Sequence, residues 1–404
     1  MRSRWPVLVL SASLICGAIT GCDGTTDEST AAPGLAPANA TQTTTTTTST
    51  PTVSTAQITV SPENGAKKVR LDEAVSVSAA GGRLTAVVVK TADGDKVKGA
   101  ISDDGTSWTP ASVGGLEART KYRVTATAVD GYGLEASLKT TFTTLAPTAR
   151  AGAYLTPGDD WNVGVGMPII VTLSKSVSDS RRDDIEKAIT VTSTPSTKGA
   201  WRWFSDSQLQ WRPAKYWKSG TKVKVKAALE GVQFDKGIWG EGTDKATFTV
   251  GSQMISTVDI NSHTLTVRRN GKVLRTIPIT TGKTGFETRK GIKVIMSRET
   301  SRQMNSETTG IGRDSSEYYN VNVKYAMRLT YSGEFLHAAP WSVGSQGRAN
   351  VSHGCTGMSN ANAAWLFGVS KVGDVVKYVG GSRPIEWGNG YTAWNMSYKA
   401  WQAA

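Results

Sequence analysis

The chain has 404 residues, 46 Lys and Arg against 33 Asp and Glu, and a formal net charge of +13. Its residues are 38% hydrophobic and 20% charged, enough apolar material for two or three packed domains and too much for a wholly disordered chain. Three cysteines in this length exclude a scaffold built on disulfides.

The first 22 residues read as an export signal. Arg2 and Arg4 supply the positive start, and residues 5–19 form an apolar stretch too short to span a bilayer. The stretch closes on Ile19-Thr20-Gly21-Cys22. This resembles a bacterial lipobox, in which Cys22 is acylated and becomes the first residue of the mature chain. An ordinary signal peptide with an incidental Cys22 is the alternative. Lipidation tethers the chain to the outer face of the cytoplasmic membrane. Cys16 lies in the part removed. Residues 23–55 are rich in Thr, Ser, Ala and Pro, with six consecutive threonines at 43–48, and are expected to be a disordered spacer.

Short β-rich runs fill residues 56–146: Val75-Ser76-Val77-Ser78, Thr85-Ala86-Val87-Val88-Val89 and residues 122–128. The turn signals Asp93-Gly94, Asp104-Gly105 and Asp130-Gly131 separate them. The pattern fits an immunoglobulin-like sandwich without a cysteine pair, with Trp108 in its core. Residues 147–250 repeat it, with strands expected at 168–173 and 221–227 and a short helix at 183–189. Trp201, Trp203, Trp211 and Trp217 cluster there. A glycan-stacking platform and ordinary core packing both account for them, and packing is the simpler reading.

The third unit, 251–380, opens on a hairpin: residues 264–269, the turn Asn270-Gly271, then 273–279. A helix is expected from Ala361 to Val369, capped by Ser359 or Asn360. Residues 381–404 form a Trp-rich C-terminal extension. The predicted class is mainly β: two immunoglobulin-like sandwiches, then a third β-sandwich with one short helix. The charge is uneven. Lys plus Arg against Asp plus Glu is 13 and 13 for residues 1–146, 15 and 11 for 147–250, and 18 and 9 for 251–404, an excess of 0, +4 and +9. Such a balance often means nucleic acid; export argues against it.

With Cys16 and Cys22 assigned to the leader, Cys355 is the one thiol left, in Ser352-His353-Gly354-Cys355-Thr356-Gly357. Of three histidines, His353 is two residues away and His337 eighteen upstream. Cysteine attacks carbonyls as the thiolate, and histidine is the natural base near neutral pH. His337 ends residues 331–337, which look like a strand, and is the preferred base, with His353 in support. His263 reads as solvated. The motif is expected in a turn directly before the helix, where backbone N–H groups can hold an oxyanion and the helix dipole favours thiolate. A zinc site of His337, His353 and Cys355 lacks an evident fourth ligand, and an inert buried cysteine is the remaining structural alternative.

His337, fourteen intervening residues and Ser352-His353-Gly354-Cys355 resemble the signature of the L,D-transpeptidases with a YkuD-type catalytic domain. Residues 281–289, 337–344 and Trp394-Asn395-Met396-Ser397 resemble the actinobacterial members, whose tandem Ig-like domains and lipoprotein subgroup match this organisation. The resemblance implies a β-sandwich with the site in a cleft under a lid. It also implies a thioacyl-enzyme formed on a donor tetrapeptide stem, loss of the terminal D-alanine, and transfer to an acceptor side-chain amine as a 3→3 cross-link. It makes Cys355 the nucleophile and His337 the acid/base, with Ser352, His353 and Gly354 holding the turn. Tyr319, Ser332, Gly333, Met304, Trp341 and Gly357 fall at substrate-contacting positions. The implied partners are peptidoglycan stem peptides and, as inhibitors, carbapenems, with no cofactor and no metal. The basic third unit suits an anionic wall polymer. Two positions depart from the family: Ala338 stands where serine is usual and Gly357 where asparagine is usual. An L,D-carboxypeptidase using the same residues, and a wall-binding module with a decayed site, are the rivals.

Overall fold

A computed structural model describes residues 52–111 and 115–403. The leader with Cys16 and Cys22, and the spacer up to residue 51, lie outside the described residues. Among the described residues, no helix is long and apolar enough to cross a membrane.

The first unit is a sandwich of two antiparallel sheets. One holds Gln57–Ser61, Ser76–Ala80, Ser107–Pro110 and Gly99–Ile101; the other holds Gly82–Thr91, Lys121–Asp130 and Glu135–Thr143. Along Lys121–Asp130 the side chains alternate, and Tyr122, Val124, Ala126 and Ala128 face Val60, Val77 and Trp108 across the core. The spacer ends sooner than residue 55. The Thr55 backbone N–H and hydroxyl donate to the Asp130 carboxylate at 2.9 and 3.2 Å, tying Thr55 to this sandwich.

The second unit packs the sheet Asn162–Val163, Thr243–Val250, Lys222–Ala228, Ile189–Thr194 against Gly199–Ser205, Gln208–Pro213, Ile169–Leu173, Ala153–Thr156. Its helix spans Arg182–Ala188. Trp211 and Trp217 are buried and stacked at 5.2 Å, and Trp201 and Trp203 pack on the same core, so these tryptophans serve packing rather than an open platform.

The third unit joins a five-stranded sheet, ordered Lys272–Pro278, Thr264–Arg269, Met254–Asp259, Val375–Val379, Gly291–Val294, to a four-stranded one, ordered Ser297–Asn305, Asn320–Arg328, Phe335–Ala338, Thr356–Met358. Asn270 and Gly271, at φ of 50° and 82°, make the hairpin turn expected of that dipeptide. The helix spans Asn360–Val369, and the Ser359 hydroxyl accepts the Asn362 N–H at 3.2 Å. Leu265, Val267 and Ile277 from one sheet meet Leu336, Ala338 and Met358 from the other, with Ala363 and Leu366 of the helix closing the core.

Two local expectations change. Only Phe335–Ala338 is strand; residues 331–334 form a loop, because Gly333 takes φ of +100° there. The strand Thr356–Met358 stands between Cys355 and the helix, so the cysteine is not at the helix N-terminus.

The second and third units share one core, in which Val294, Val375 and Tyr391 join the second sandwich. The C-terminal extension crosses the same seam. Buried Arg212 lies 4.9, 5.4 and 5.0 Å from the rings of Trp394, Tyr398 and Trp401 and donates to the Met396 carbonyl at 2.8 Å. Stacked guanidinium and indole faces, with the rim hydrogen bonds of Trp394 to Gly166 O and Trp401 to Ala200 O, fasten the extension to the second sandwich.

Candidate active site

Strand alternation sets which residues meet. Phe335–Ala338 runs parallel to Thr356–Met358, with Leu336 opposite Thr356, His337 opposite Gly357 and Ala338 opposite Met358. Leu336, Ala338 and Met358 point into the core, so His337 and Gly357 point to the other face, and Cys355 shares it. From strand spacing and rise, the Cα atoms of His337 and Cys355 lie about 8 Å apart, a gap that an imidazole and a thiol side chain span. Both line a cavity of about 450 Å³ with Met304, Tyr319, Val321, Val323, Trp341, Ser352, His353 and Gly357 among its walls.

The His337 Nδ1 lies 2.9 Å from the Ala338 carbonyl oxygen. A carbonyl only accepts, so Nδ1 carries the proton and Nε2 is left with a lone pair for the cleft. This partner is backbone, so the missing hydroxyl at Ala338 costs the base nothing here. His337 is buried, and burial lowers its pKa from the ordinary histidine value, keeping it neutral near pH 7.

Cys355 is a free, half-buried cysteine. Its sulfur donates to the Gly333 carbonyl at 3.6 Å. Burial pushes the thiol up to about 12, while the Phe335 backbone N–H aimed at it pulls the other way. Cys355 at rest is therefore thiol, not the dipole-stabilised thiolate expected from the sequence. The arrangement requires a base to take its proton as it attacks.

The turn before it is braced. Ser352 Oγ donates to the Cys355 carbonyl at 2.6 Å and accepts the Gly354 N–H at 3.1 Å; Thr288 Oγ1 donates to the Gly354 carbonyl at 2.7 Å. That Gly354 N–H is thus occupied rather than free for an oxyanion. Gly354 has φ of +118°, a conformation that requires glycine. His353 turns from the thiol: its Nε2 lies 2.7 Å from Glu317 Oε2, and its ring sits 4.6 Å from Phe286 and 4.9 Å from Tyr319. Glu317 also accepts from Lys283 at 2.7 Å. Among the described residues, no group of three or more His, Cys, Asp or Glu is placed to hold a metal ion.

Met304, Tyr319, Trp341 and Gly357 line the cavity. Ser332 does not; its N–H and hydroxyl bond to Asn389, and Gly333 contributes its carbonyl to the thiol. Three features escaped sequence reading. His263 is not simply solvated: its Nδ1 lies 3.0 Å from Asn350 Oδ1, which also accepts from Thr281 beside the motif. Buried Lys293 donates to buried Glu334, with Arg289 on the same carboxylate at 3.1 Å, behind the cysteine. Asn389 belongs to the extension. A lysine within the strand pattern of residues 291–294 was the one available signal for the buried pair.

A free thiol at the entry of one strand and an imidazole on its neighbour, lining one cleft of a β-sandwich, define a cysteine acyl-transfer site. A family model described as the L,D-transpeptidase catalytic domain matches residues 253–377, and one described as a bacterial Ig domain matches 66–233. L,D-transpeptidase 2 of Mycobacterium tuberculosis is 38% identical over 350 residues, 86% of this chain and 84% of that protein. L,D-transpeptidase 1 of the same species is 40% identical over 228 residues, 56% of this chain and 84% of that protein. A solved LD transpeptidase in complex with imipenem superposes with a TM-score of 0.50 at 40% identity, covering 56% of this chain and 99% of that one. The chain belongs to the L,D-transpeptidase family.

Proposed function

We propose that this protein cross-links peptidoglycan stem peptides in the 3→3 sense through a thioester on Cys355. The observation that carries the reading is that Cys355 and His337, its Nδ1 fixed on the Ala338 carbonyl, line one cavity. His337 Nε2 takes the thiol proton as sulfur attacks the carbonyl of the third residue of a donor stem. The C–N bond to the terminal D-alanine breaks, and His337 returns the proton to the departing amine. An acceptor side-chain amine then attacks the thioester carbonyl and gives its proton to Nε2. The C–S bond breaks, and the sulfur recovers that proton. Met304, Tyr319, Val321 and Trp341 give the cleft an apolar wall beside the thioester.

Carbapenems, which carry a strained acyl group, acylate the same sulfur; the imipenem complex of the 40% identical relative supports this. We place the chain at the outer face of the cytoplasmic membrane, anchored through acylated Cys22 and acting in the wall; Ile19-Thr20-Gly21-Cys22 is the support.

Incubating purified protein with a tetrapeptide-bearing disaccharide tests the activity. A cross-linked dimer by mass spectrometry is expected. A tripeptide product alone makes the chain a carboxypeptidase, and neither product makes it a wall-binding module. Metabolic labelling with radioactive palmitate, abolished by Cys22→Ser, tests the anchor.

A further inference from the structure

The Cys355 thiol donates to the Gly333 carbonyl at 3.6 Å, and Gly333 lies on a short loop that runs into the strand Phe335–Ala338. Glycine at 333 gives this loop its left-handed turn, and a loop free to open would carry the Gly333 carbonyl off the sulfur. Its tip is held by a residue from the far end of the chain. Asn389 Oδ1 accepts the Ser332 N–H at 2.9 Å, and its Nδ2 donates to the Ser332 hydroxyl at 2.9 Å. The amide is itself oriented, because Nδ2 also donates to Glu386 Oε2 at 2.9 Å. Glu386 is fixed by Arg383 at 3.0 Å and by Arg289, whose guanidinium also grips Glu334 at the loop's other end. The clamp starts outside residues 253–377, the stretch the catalytic family model covers.

We propose that Asn389 of the C-terminal extension is a positioning residue for the nucleophile: by gripping Ser332 it holds the loop whose Gly333 carbonyl accepts from the Cys355 thiol. This rests on Cys355 being the nucleophile. The extension therefore does more than fasten two domains; its docking is transmitted to the reacting atom through one amide side chain. A loosened loop admits water to the sulfur, which acidifies the thiol, and at the same time misplaces it, which slows acyl transfer. Thiol reactivity and turnover then move in opposite directions, and mere loss of structure does not produce that combination.

The test is the pH profile of Cys355 alkylation by iodoacetamide, with kcat for cross-linking, in Asn389→Ala and in Arg182→Ala. Arg182 pairs with Asp179 at 2.9 Å and stacks on Trp203, both in the second sandwich, so its loss perturbs that domain and not the clamp. Asn389→Ala is expected to alkylate about tenfold faster at pH 8, one unit of thiol acidity, while kcat falls about tenfold to a hundredfold, the cost of a small misplacement. Arg182→Ala is expected to keep both. Wild-type values in a folded Asn389→Ala overturn the proposal, and so do equal changes in Arg182→Ala. Where Asn389→Ala does not fold, Asn389→Asp replaces it. That variant keeps an acceptor for the Ser332 N–H but faces the Glu386 carboxylate, so its kcat relative to wild type is expected to fall from pH 5 to pH 8. A constant ratio overturns the proposal. If the wild type makes no dimer, the functional reading falls, while the alkylation profiles still decide the role of Asn389.

Discussion

His337 stands directly opposite Gly357 across two parallel strands, and Gly357 has no room for a side chain. A Cβ there would lie 2.9 Å from the Ala339 Cβ and 3.1 Å from Thr280 Cγ2, closer than unbonded carbons sit. The glycine that departs from the family's usual asparagine is thus matched by its neighbour, and the wall beside the base is built of small groups. Gly357→Asn is expected to destabilise by about 1–3 kcal/mol, the range for overpacking, and to lower cross-linking. Adding Ala339→Gly removes the closest contact and is expected to recover most of the loss. Urea midpoints and kcat/KM of both variants check this. A fully stable, active Gly357→Asn would mean that the wall yields.

The same strand pair sets the pH response. His337 is pushed below the ordinary histidine value, so the base remains unprotonated down to pH below 6.5 and the rate falls only as pH drops through that lowered pKa. Cys355, pushed up to about 12, is thiol throughout that range. Its alkylation at pH 7 is therefore expected to be slow and to rise steadily with pH, without a plateau near neutrality. His337→Gln is expected to lower kcat about a hundredfold to ten-thousandfold. Ala338→Ser is expected to change it less than about twofold, because the ring is held by the Ala338 backbone carbonyl. A large gain in Ala338→Ser would show that the side chain, not the carbonyl, orients the base.

What could be read from the sequence divides along a physical line. Asn270-Gly271, the Ser359 cap and the alternating runs of the sandwiches are local signals, and the structure follows them. Cys355 and His337 were legible because few residue types can do thiol chemistry and the chain has only three histidines. The thiol's protonation state was not legible: it depends on burial and on backbone groups of residues 333 and 335, which no spacing reveals. The partners of Glu334 and Ser332 also lie far away in sequence, at Lys293, Arg289 and Asn389. The loop carrying Gly333 looked like strand because Tyr331, Phe335 and Leu336 are strand formers, and one left-handed glycine overrides them.

His353, two residues before Cys355, is turned to a different task. Glu317 lies between the strands Ser297–Asn305 and Asn320–Arg328 and bridges His353 Nε2 at 2.7 Å and Lys283 at 2.7 Å. The stretch carrying Glu317 leads into Tyr319, a wall of the cavity, so this bridge pins that wall. Glu317→Ala is expected to raise KM for the donor several-fold with little change in kcat. It is also expected to speed trypsin cleavage after exposed Arg313, which lies on the same stretch. Unchanged cleavage and KM would mean that this wall is held by its packing alone.

Asp374 gives the seam between the second and third units a pH dependence of its own. It is buried, its Oδ2 accepts the Lys371 N–H at 2.7 Å, and its Oδ1 has no partner. Gly164 of the second sandwich packs onto it so closely that a Cβ there would lie 2.3 Å from Oδ1. Burial raises its pKa to about 7 from an ordinary value near 3.8, against the pull of Lys371, Arg298 and Arg269. The folded state therefore binds a proton that the unfolded chain has already released. The stability from the neutral carboxyl is complete below pH 3.8 and is lost as pH rises toward 7. Asp374→Asn, neutral at every pH, is expected to flatten this contribution and to exceed wild type in urea midpoint at pH 8. A variant whose midpoint tracks wild type from pH 4 to pH 8 would show that Asp374 is ionised in the folded chain despite its burial.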